Sequence, residues 1–108
     1  MKKFYCLAVA LSLLLALPSC SKKKKIWIYT SMYKEVIETM REPLQKAMPP
    51  DVEVMWFQSG SENIASKVNA ELAAGGSRAD LILTSDPFWY YELKQAGKLL
   101  PYKSPAAK

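Results

Sequence analysis

The chain has 108 residues, a net charge of +5 and a composition that is half apolar, so it has room for one domain at most and does not read as disordered throughout. Six lysines, Lys2, Lys3 and Lys22 to Lys25, stand outside the patterned region, and removing them from the +5 leaves −1 for residues 26–108. The body is therefore nearly neutral, and its charge is no argument for a nucleic-acid partner. There is no histidine, and the two cysteines, Cys6 and Cys20, both precede residue 26, which excludes a disulfide framework and a thiolate zinc site from the body.

Lys2 and Lys3 form a positive start, and residues 4–17 are an almost unbroken apolar run with only Ser12 polar. That run is short for a membrane span and has the length of a signal-peptide core. It ends at Leu17-Pro18-Ser19-Cys20, which resembles the lipobox of bacterial lipoprotein precursors. The resemblance implies cleavage after Ser19, acylation of Cys20, and export to a lipid-anchored position facing the periplasm or the exterior. The alternative is an ordinary cleaved signal, or an uncleaved anchor, with an incidental cysteine. Residues 1–19 are thus expected to be a signal peptide, and residues 20–25 a lysine-rich tether. Such a tether is either a solvated linker or a weak attraction for anionic headgroups.

Residues 26–29 are continuous, apolar and rich in β-branched and aromatic side chains, as expected of a strand buried on both faces of a parallel sheet. Thr30 and Ser31 are natural caps for the helix that follows. Val36, Ile37, Met40, Leu44, Ala47 and Met48 recur at helical spacing, and Pro43 predicts a kink or a fresh start. Residues 52–57 predict a second strand. Ser59 and Glu62 have the spacing of a capping box before a helix whose apolar face is Ile64, Ala65, Val68 and Leu72, stopped at Gly75-Gly76. Residues 80–83 predict a third strand. Thr84-Ser85-Asp86-Pro87 opens a third helix carrying Phe88, Tyr91 and Leu93, which ends at Gly97. Leu99 to Tyr102 reads as a short strand or an extended exit. The order βαβαβα predicts an α/β fold with a mainly parallel sheet. Three strands and three helices are few to cover both faces of such a sheet, so the body reads as the front part of a larger protein or a truncated product.

In an open α/β sheet ligands bind beyond the carboxyl ends of the strands. Three hydroxyl-bearing junctions are expected there: Thr30-Ser31, Ser59-Gly60-Ser61 and Thr84-Ser85. Helix N-termini favour anions and polar oxygens, and Gly60 admits a close backbone approach. Plain capping is the better explanation of any one of them alone, and three on one edge of the sheet bring the functional reading level with it. Trp27, Tyr29, Trp56 and Phe57 are expected in the core. Tyr33 either packs or turns its phenol to the crevice, and of Trp89 and Tyr90 one is expected to pack and one to be exposed. No Ser-His-Asp, Cys-His, Walker or dinucleotide motif is present, so enzymatic activity is not expected.

The body also resembles the extracellular solute-binding proteins of bacterial ABC importers, in the group that takes ferric iron, polyamines, thiamine and phosphonates. The resemblance rests on the order and spacing of residues 29–35 (Tyr-Thr-Ser-Met-Tyr-Lys-Glu), 59–61 (Ser-Gly-Ser), 68–71 (Val-Asn-Ala-Glu), 79–82 (Ala-Asp-Leu-Ile) and 97–102 (Gly-Lys-Leu-Leu-Pro-Tyr). It implies that residues 26–108 are an incomplete first lobe of a two-lobed periplasmic-binding-protein fold. It further implies a monomeric carrier that captures a small polar solute and hands it to a membrane permease, without a cofactor. The implied binding residues are Ser31, Tyr33, Ser59, Gly60, Ser61 and Ser85. Ferric iron or its chelate is the first ligand expectation, with Tyr33 as a phenolate ligand, and a phosphonate-type oxyanion or a polyamine comes next. Ferric members often carry a histidine at the place of Tyr33 and a glutamate near Ser85, and this chain has neither. A small lipoprotein with an interaction or structural role, and no transport activity, is the alternative.

Overall fold

The computed structural model describes residues 22–107; the expected signal segment and Cys20 lie outside them. Three strands and three helices alternate: β1 (Lys24–Thr30), α1 (Lys34–Ala47), β2 (Val52–Gln58), α2 (Ser61–Ala73), β3 (Leu81–Leu83) and α3 (Pro87–Gln95). The strands form one sheet in the order β2-β1-β3, and both pairings are parallel. The fold is therefore α/β with the expected βαβαβα order. β1 lies in the middle, so both of its edges are paired and its carboxyl half, Ile28 to Thr30, is buried. That position explains its nearly continuous apolar character.

β1 begins two residues before the expected boundary. Lys24 and Lys25 pair with Val52 and Glu53, the Lys24 N–H donates to the Asp51 carbonyl at 2.8 Å, and the Lys24 ammonium stands 3.9 Å from the Asp51 carboxylate. A parallel ladder needs only backbone groups, and the lysine side chains stay in solvent while their backbone is paired. The expected tether therefore gives up Lys24 and Lys25 to the sheet.

Strand alternation sends Trp27 and Tyr29 to one face and Ile26, Ile28 and Thr30 to the other. On the first face Tyr29 packs with Ile64 and Val68 of α2 and with Trp89 and Leu93 of α3. Trp27, Phe57, Leu72 and Ile82 close around them. Each side chain buried this fully contributes on the order of 1.5–3 kcal/mol. The second face is covered more thinly. There α1 lies against β2 and buries Ile37, while Val36 and Met40 remain 42% and 38% exposed. Placing α1 and α2 on opposite faces is what right-handed crossovers demand when β2 and β3 flank β1 on opposite sides.

The helix boundaries depart from local expectation. Neither Thr30 nor Ser31 caps α1; the cap position is Tyr33, without a side-chain bond. The Ser31 N–H is taken by the Leu83 carbonyl at 2.9 Å and the Met32 N–H by Thr30 Oγ1 at 3.1 Å, so the chain uses three residues to leave the sheet before it coils. Pro43 does not restart α1, which runs through it to Ala47. Pro43 is exposed and costs one intrahelical bond. The turn beyond it is pinned to the sheet instead, because the Gln45 amide donates to the Val52 carbonyl at 2.8 Å and accepts from the Val54 N–H at 2.9 Å.

In α3 the Asp86 carboxylate accepts from the Phe88 and Trp89 N–H groups at 3.1 Å, with Pro87 at the first helical position, as expected. This cap sets the phase of the helix. It turns Trp89 and Leu93, four residues apart, inward, and leaves Phe88 and Tyr91 80% and 62% exposed. The expected stripe of Phe88, Tyr91 and Leu93 is thus out of phase with the helix. Gly97, at φ +65, ends the helix with the Lys98 N–H bonded to the Leu93 carbonyl. Leu99 to Tyr102 form no strand.

Candidate functional site

All three junctions reach the carboxyl edge of the sheet, and hydrogen bonds tie them together. Ser31 N–H donates to the Leu83 carbonyl, joining the first junction to the third, and Ser59 N–H donates to the Thr30 carbonyl at 3.1 Å, joining the second to the first. Ser61 Oγ and Ser85 Oγ are 3.2 Å apart, which closes the triangle. Gln58 Nε2 reaches the Met32 carbonyl at 3.4 Å. Five of the six expected site residues are thereby placed: Ser31 and Ser59 half-buried near the sheet, Ser61 and Ser85 in contact, and Gly60 exposed beside them. The sixth, Tyr33, extends its phenol into solvent at 80% exposure.

The hydroxyls are not used as caps on α1 or α2. Gly60 is the cap residue of α2 and has no side-chain bond to offer. Ser59 Oγ accepts instead from Asn63 Nδ2 at 3.2 Å, so the expected Ser59/Glu62 capping box does not form. Two helix N-termini, those of α1 and α2, therefore face the carboxyl edge without a side-chain cap, while α3 is capped by the Asp86 carboxylate. Uncapped termini present N–H donors and the positive end of the helix dipole. At Gly60 φ is −64 and an added Cβ would meet only open space, so nothing inside the chain requires glycine there.

Between the ends of β1 and β3 lies a groove of about 640 Å³, lined by Ser31, Met32, Tyr33, Val36, Leu83, Thr84, Ser85 and Tyr90. This is where the connections leaving neighbouring strands turn to opposite faces, the place at which open α/β sheets bind their ligands. The Thr84 hydroxyl in this lining is buried and has no hydrogen-bond partner among the described residues. Tyr90 forms the far wall. Its hydroxyl accepts from the Thr84 N–H and donates to the Ile82 carbonyl, both at 2.9 Å, and so it is anchored in place. Trp89 is buried, with its indole N–H on Asn69 Oδ1 at 3.3 Å.

A polar hub that the sequence does not announce lies on the α2 side of the sheet. Glu71 Oε1 accepts from the Tyr29 hydroxyl at 2.9 Å and pairs with Lys67 at 2.9 Å; Oε2 accepts from Ser77 Oγ at 2.7 Å and from the Arg78 N–H at 3.0 Å. Burial pushes the Glu71 carboxyl up. The bonds from Lys67, Ser77, the Arg78 backbone and Tyr29 outweigh that push and hold its pKa down at about 2. Burial, then the bond to Glu71, raises the Tyr29 phenol, while the bond to Glu71 raises Lys67. The Lys67 ammonium also sits 5.5 Å from the Tyr29 ring centre and 5.3 Å from that of Phe57. The hub locks α2 to β1 and to the loop entering β3, and both oxygens of the Glu71 carboxylate are engaged within it.

Among the described residues there is no group of three His, Cys, Asp or Glu side chains that would hold a metal ion, and no helix long and apolar enough to cross a membrane. Compared with known protein families and with curated proteins, the chain matches none.

Proposed function

We propose that this chain is the front of the first lobe of a solute-binding lipoprotein, anchored through Cys20 and serving an ABC importer. Its groove at the ends of β1 and β3 would be one wall of the binding site. The observation that carries the reading is a groove into which two hydroxyl-bearing junctions open through Ser31, Thr84 and Ser85, with the third junction tied to its rim by the Ser61–Ser85 contact, beside two helix N-termini left without side-chain caps. A capping role would have used those hydroxyls, and at α1 and α2 they are not so used.

Among the ligand classes, a small oxyanion of the phosphonate or phosphate type fits best. Hydroxyl and N–H donors suit it, and the lining contains no carboxylate to repel it. A ferric chelate, the first expectation from the sequence, would find one phenol not already bonded to the backbone, Tyr33, since that of Tyr90 is held by Thr84 and Ile82, and no acidic ligand. A polyamine would find no carboxylate to pair with. One wall cannot bury a ligand, so the affinity of this chain alone is expected to be weak, on the order of millimolar. Calorimetric titration of the full chain with methylphosphonate, inorganic phosphate and ferric citrate tests the reading. The anions should bind weakly, and the Ser31→Ala and Ser85→Ala variants should each lose about fivefold in affinity. Submicromolar binding would contradict the one-walled site, and affinity unchanged in both variants would move the site elsewhere.

A further inference from the structure

The two ends of the sheet differ in charge and in exposed apolar surface. Around the carboxyl edge, Lys34 is outnumbered by Glu35, Glu62 and Asp86. The opposite end begins at Lys22 to Lys25, all exposed, and only Lys24 among these has an acidic partner, Asp51. Beside the start of β3, the segment after α3 adds Lys98 and Lys103. Between them it exposes Leu100 and Tyr102, at 92% and 82%, with Leu81 at 47%. Lys98 to Tyr102 border a second groove, lined also by Ser77, Ala79, Asp80 and Leu81, which places this segment at the start of β3 and away from the junctions. Lysines flanking an exposed leucine and tyrosine have the composition of a surface that lies in the headgroup layer of an anionic bilayer.

If Cys20 is acylated, as the proposed function requires, geometry brings this end to a membrane, and the role of the surface rests on that reading. With Lys24 already in the ladder, only Ser21, Lys22 and Lys23 separate Cys20 from β1. Their fully extended reach is about 14 Å from Cα to Cα. An acylated Cys20 sits at the bilayer surface, so the start of β1 cannot leave the headgroup region by more than about that distance.

We infer that the amino-terminal end of the sheet is a seating surface for an anionic membrane. Lys22, Lys23, Lys25 and Lys98 contact headgroup phosphates, and Leu100 and Tyr102 enter the interface. The seven residues of β1 put about 20 Å between Lys24 and the junction groove, and the shorter β3, which starts level with Ile28, puts less between Leu81 and the groove. Seating on the lysines at the start of β1 therefore turns the groove away from the bilayer. Without seating, the lipid alone would leave the body free to tumble at the end of a short leash. Each lysine lost from the surface should lower the ratio of seated to unseated protein about fivefold.

The test uses the full chain purified from membranes and reconstituted into vesicles. Leu100→Trp adds an emitter at an exposed position, and its emission is read as the difference from the parent chain. In vesicles containing phosphatidylglycerol with brominated acyl chains, the added emission should be quenched at least twofold. Quenching should fall away at high salt and in a Lys22→Gln, Lys23→Gln, Lys98→Gln variant. It should be absent in pure phosphatidylcholine vesicles. Protein that floats with the vesicles while the introduced indole stays open to aqueous iodide and unquenched by brominated lipid overturns the seating and leaves the anchor standing. Equal quenching in neutral and anionic vesicles overturns the charge selectivity. Protein that fails to float removes the lipidation reading and the seating with it.

Discussion

Replacing Glu71 by glutamine separates charge from shape at the hub. The variant keeps the volume and one carbonyl oxygen for Tyr29 and Lys67. It turns an amide donor toward Ser77 and the Arg78 N–H, which are themselves donors to Glu71 Oε2. Depression of the carboxyl from 4.5 to about 2 corresponds to roughly 3 kcal/mol of preference for the ionised form in the folded state. The Glu71 side chain is 20% exposed, so solvent screening reduces the expected loss at neutral pH to about 2 kcal/mol. Because the folded pKa lies below the unfolded one, this stabilisation is complete above about 4.5 and disappears as pH falls through about 2. The other carboxylates titrate in both proteins and cancel in the difference. Urea unfolding followed by tryptophan fluorescence, run on parent and Glu71→Gln at pH 7 and at pH 2.5, reads that difference. The expected gap is about 2 kcal/mol at pH 7, shrinking by more than half at pH 2.5. A gap that is the same at both pH values would refute the electrostatic account and leave only packing at the hub.

Tyr90→Phe removes the hydroxyl that bridges Ile82 and Thr84, and should cost about 1–2 kcal/mol in urea unfolding and also weaken anion binding, because Tyr90 lines the groove. Gln45→Leu frees the Val52 carbonyl and the Val54 N–H on the other edge of the sheet; a loss of about 1–2 kcal/mol is expected there with anion affinity unchanged, and with faster aggregation by light scattering.

The order of elements was legible because each is specified by its own residues. Ile26 to Tyr29 carry the mark of a doubly buried strand, and Ile64, Val68 and Leu72 the mark of a helix face, whatever surrounds them. Boundaries were less legible, since distant groups decide them. Ser31 is a good cap by local preference, but its N–H belongs to Leu83, fifty-two residues away, and the helix waits until the chain has left that bond. Lys24 reads as tether because a lysine does not advertise a strand, yet its backbone is claimed by Asp51 and Val52. The run Phe88 to Tyr91 is aromatic at every position and so has no phase of its own; Asp86 supplies it. Glu71 was visible only as part of a resemblance. Two of its four partners, Ser77 and Arg78, lie six and seven residues ahead, and Tyr29 lies forty-two behind; only Lys67, four residues earlier on the same helix, stands at a local spacing, and that pair alone reads as an ordinary surface ion pair. The junction residues were legible for a different reason: a parallel sheet with short loops must bring its carboxyl ends together, so Ser31, Ser59, Ser61 and Ser85 share that edge, of which Ser31 and Ser85 line the groove.

Each outer edge of the sheet is capped at one place by a side chain from a helix. Gln45 satisfies the Val52 carbonyl and the Val54 N–H on β2, and Tyr90 satisfies the Ile82 carbonyl of β3 and the N–H of Thr84 just beyond it. A three-stranded sheet has two open edges, each a template for unwanted pairing. The Gln45 amide and the Tyr90 phenol each use one donor and one acceptor here, the same pair that a neighbouring strand would present at that place. The two caps differ in what else they touch. Gln45 faces away from the junctions, whereas Tyr90 stands between the groove at the carboxyl edge and the apolar groove beside the start of β3. The phenol that closes the β3 edge is therefore also the partition between the surface proposed to take an anion and the surface proposed to face the membrane. Its two hydrogen bonds fix the position of Thr84, whose buried hydroxyl has no partner of its own within the described residues. Edge protection and site geometry are thus one constraint at Tyr90, and two separable ones at Gln45 and Ser85.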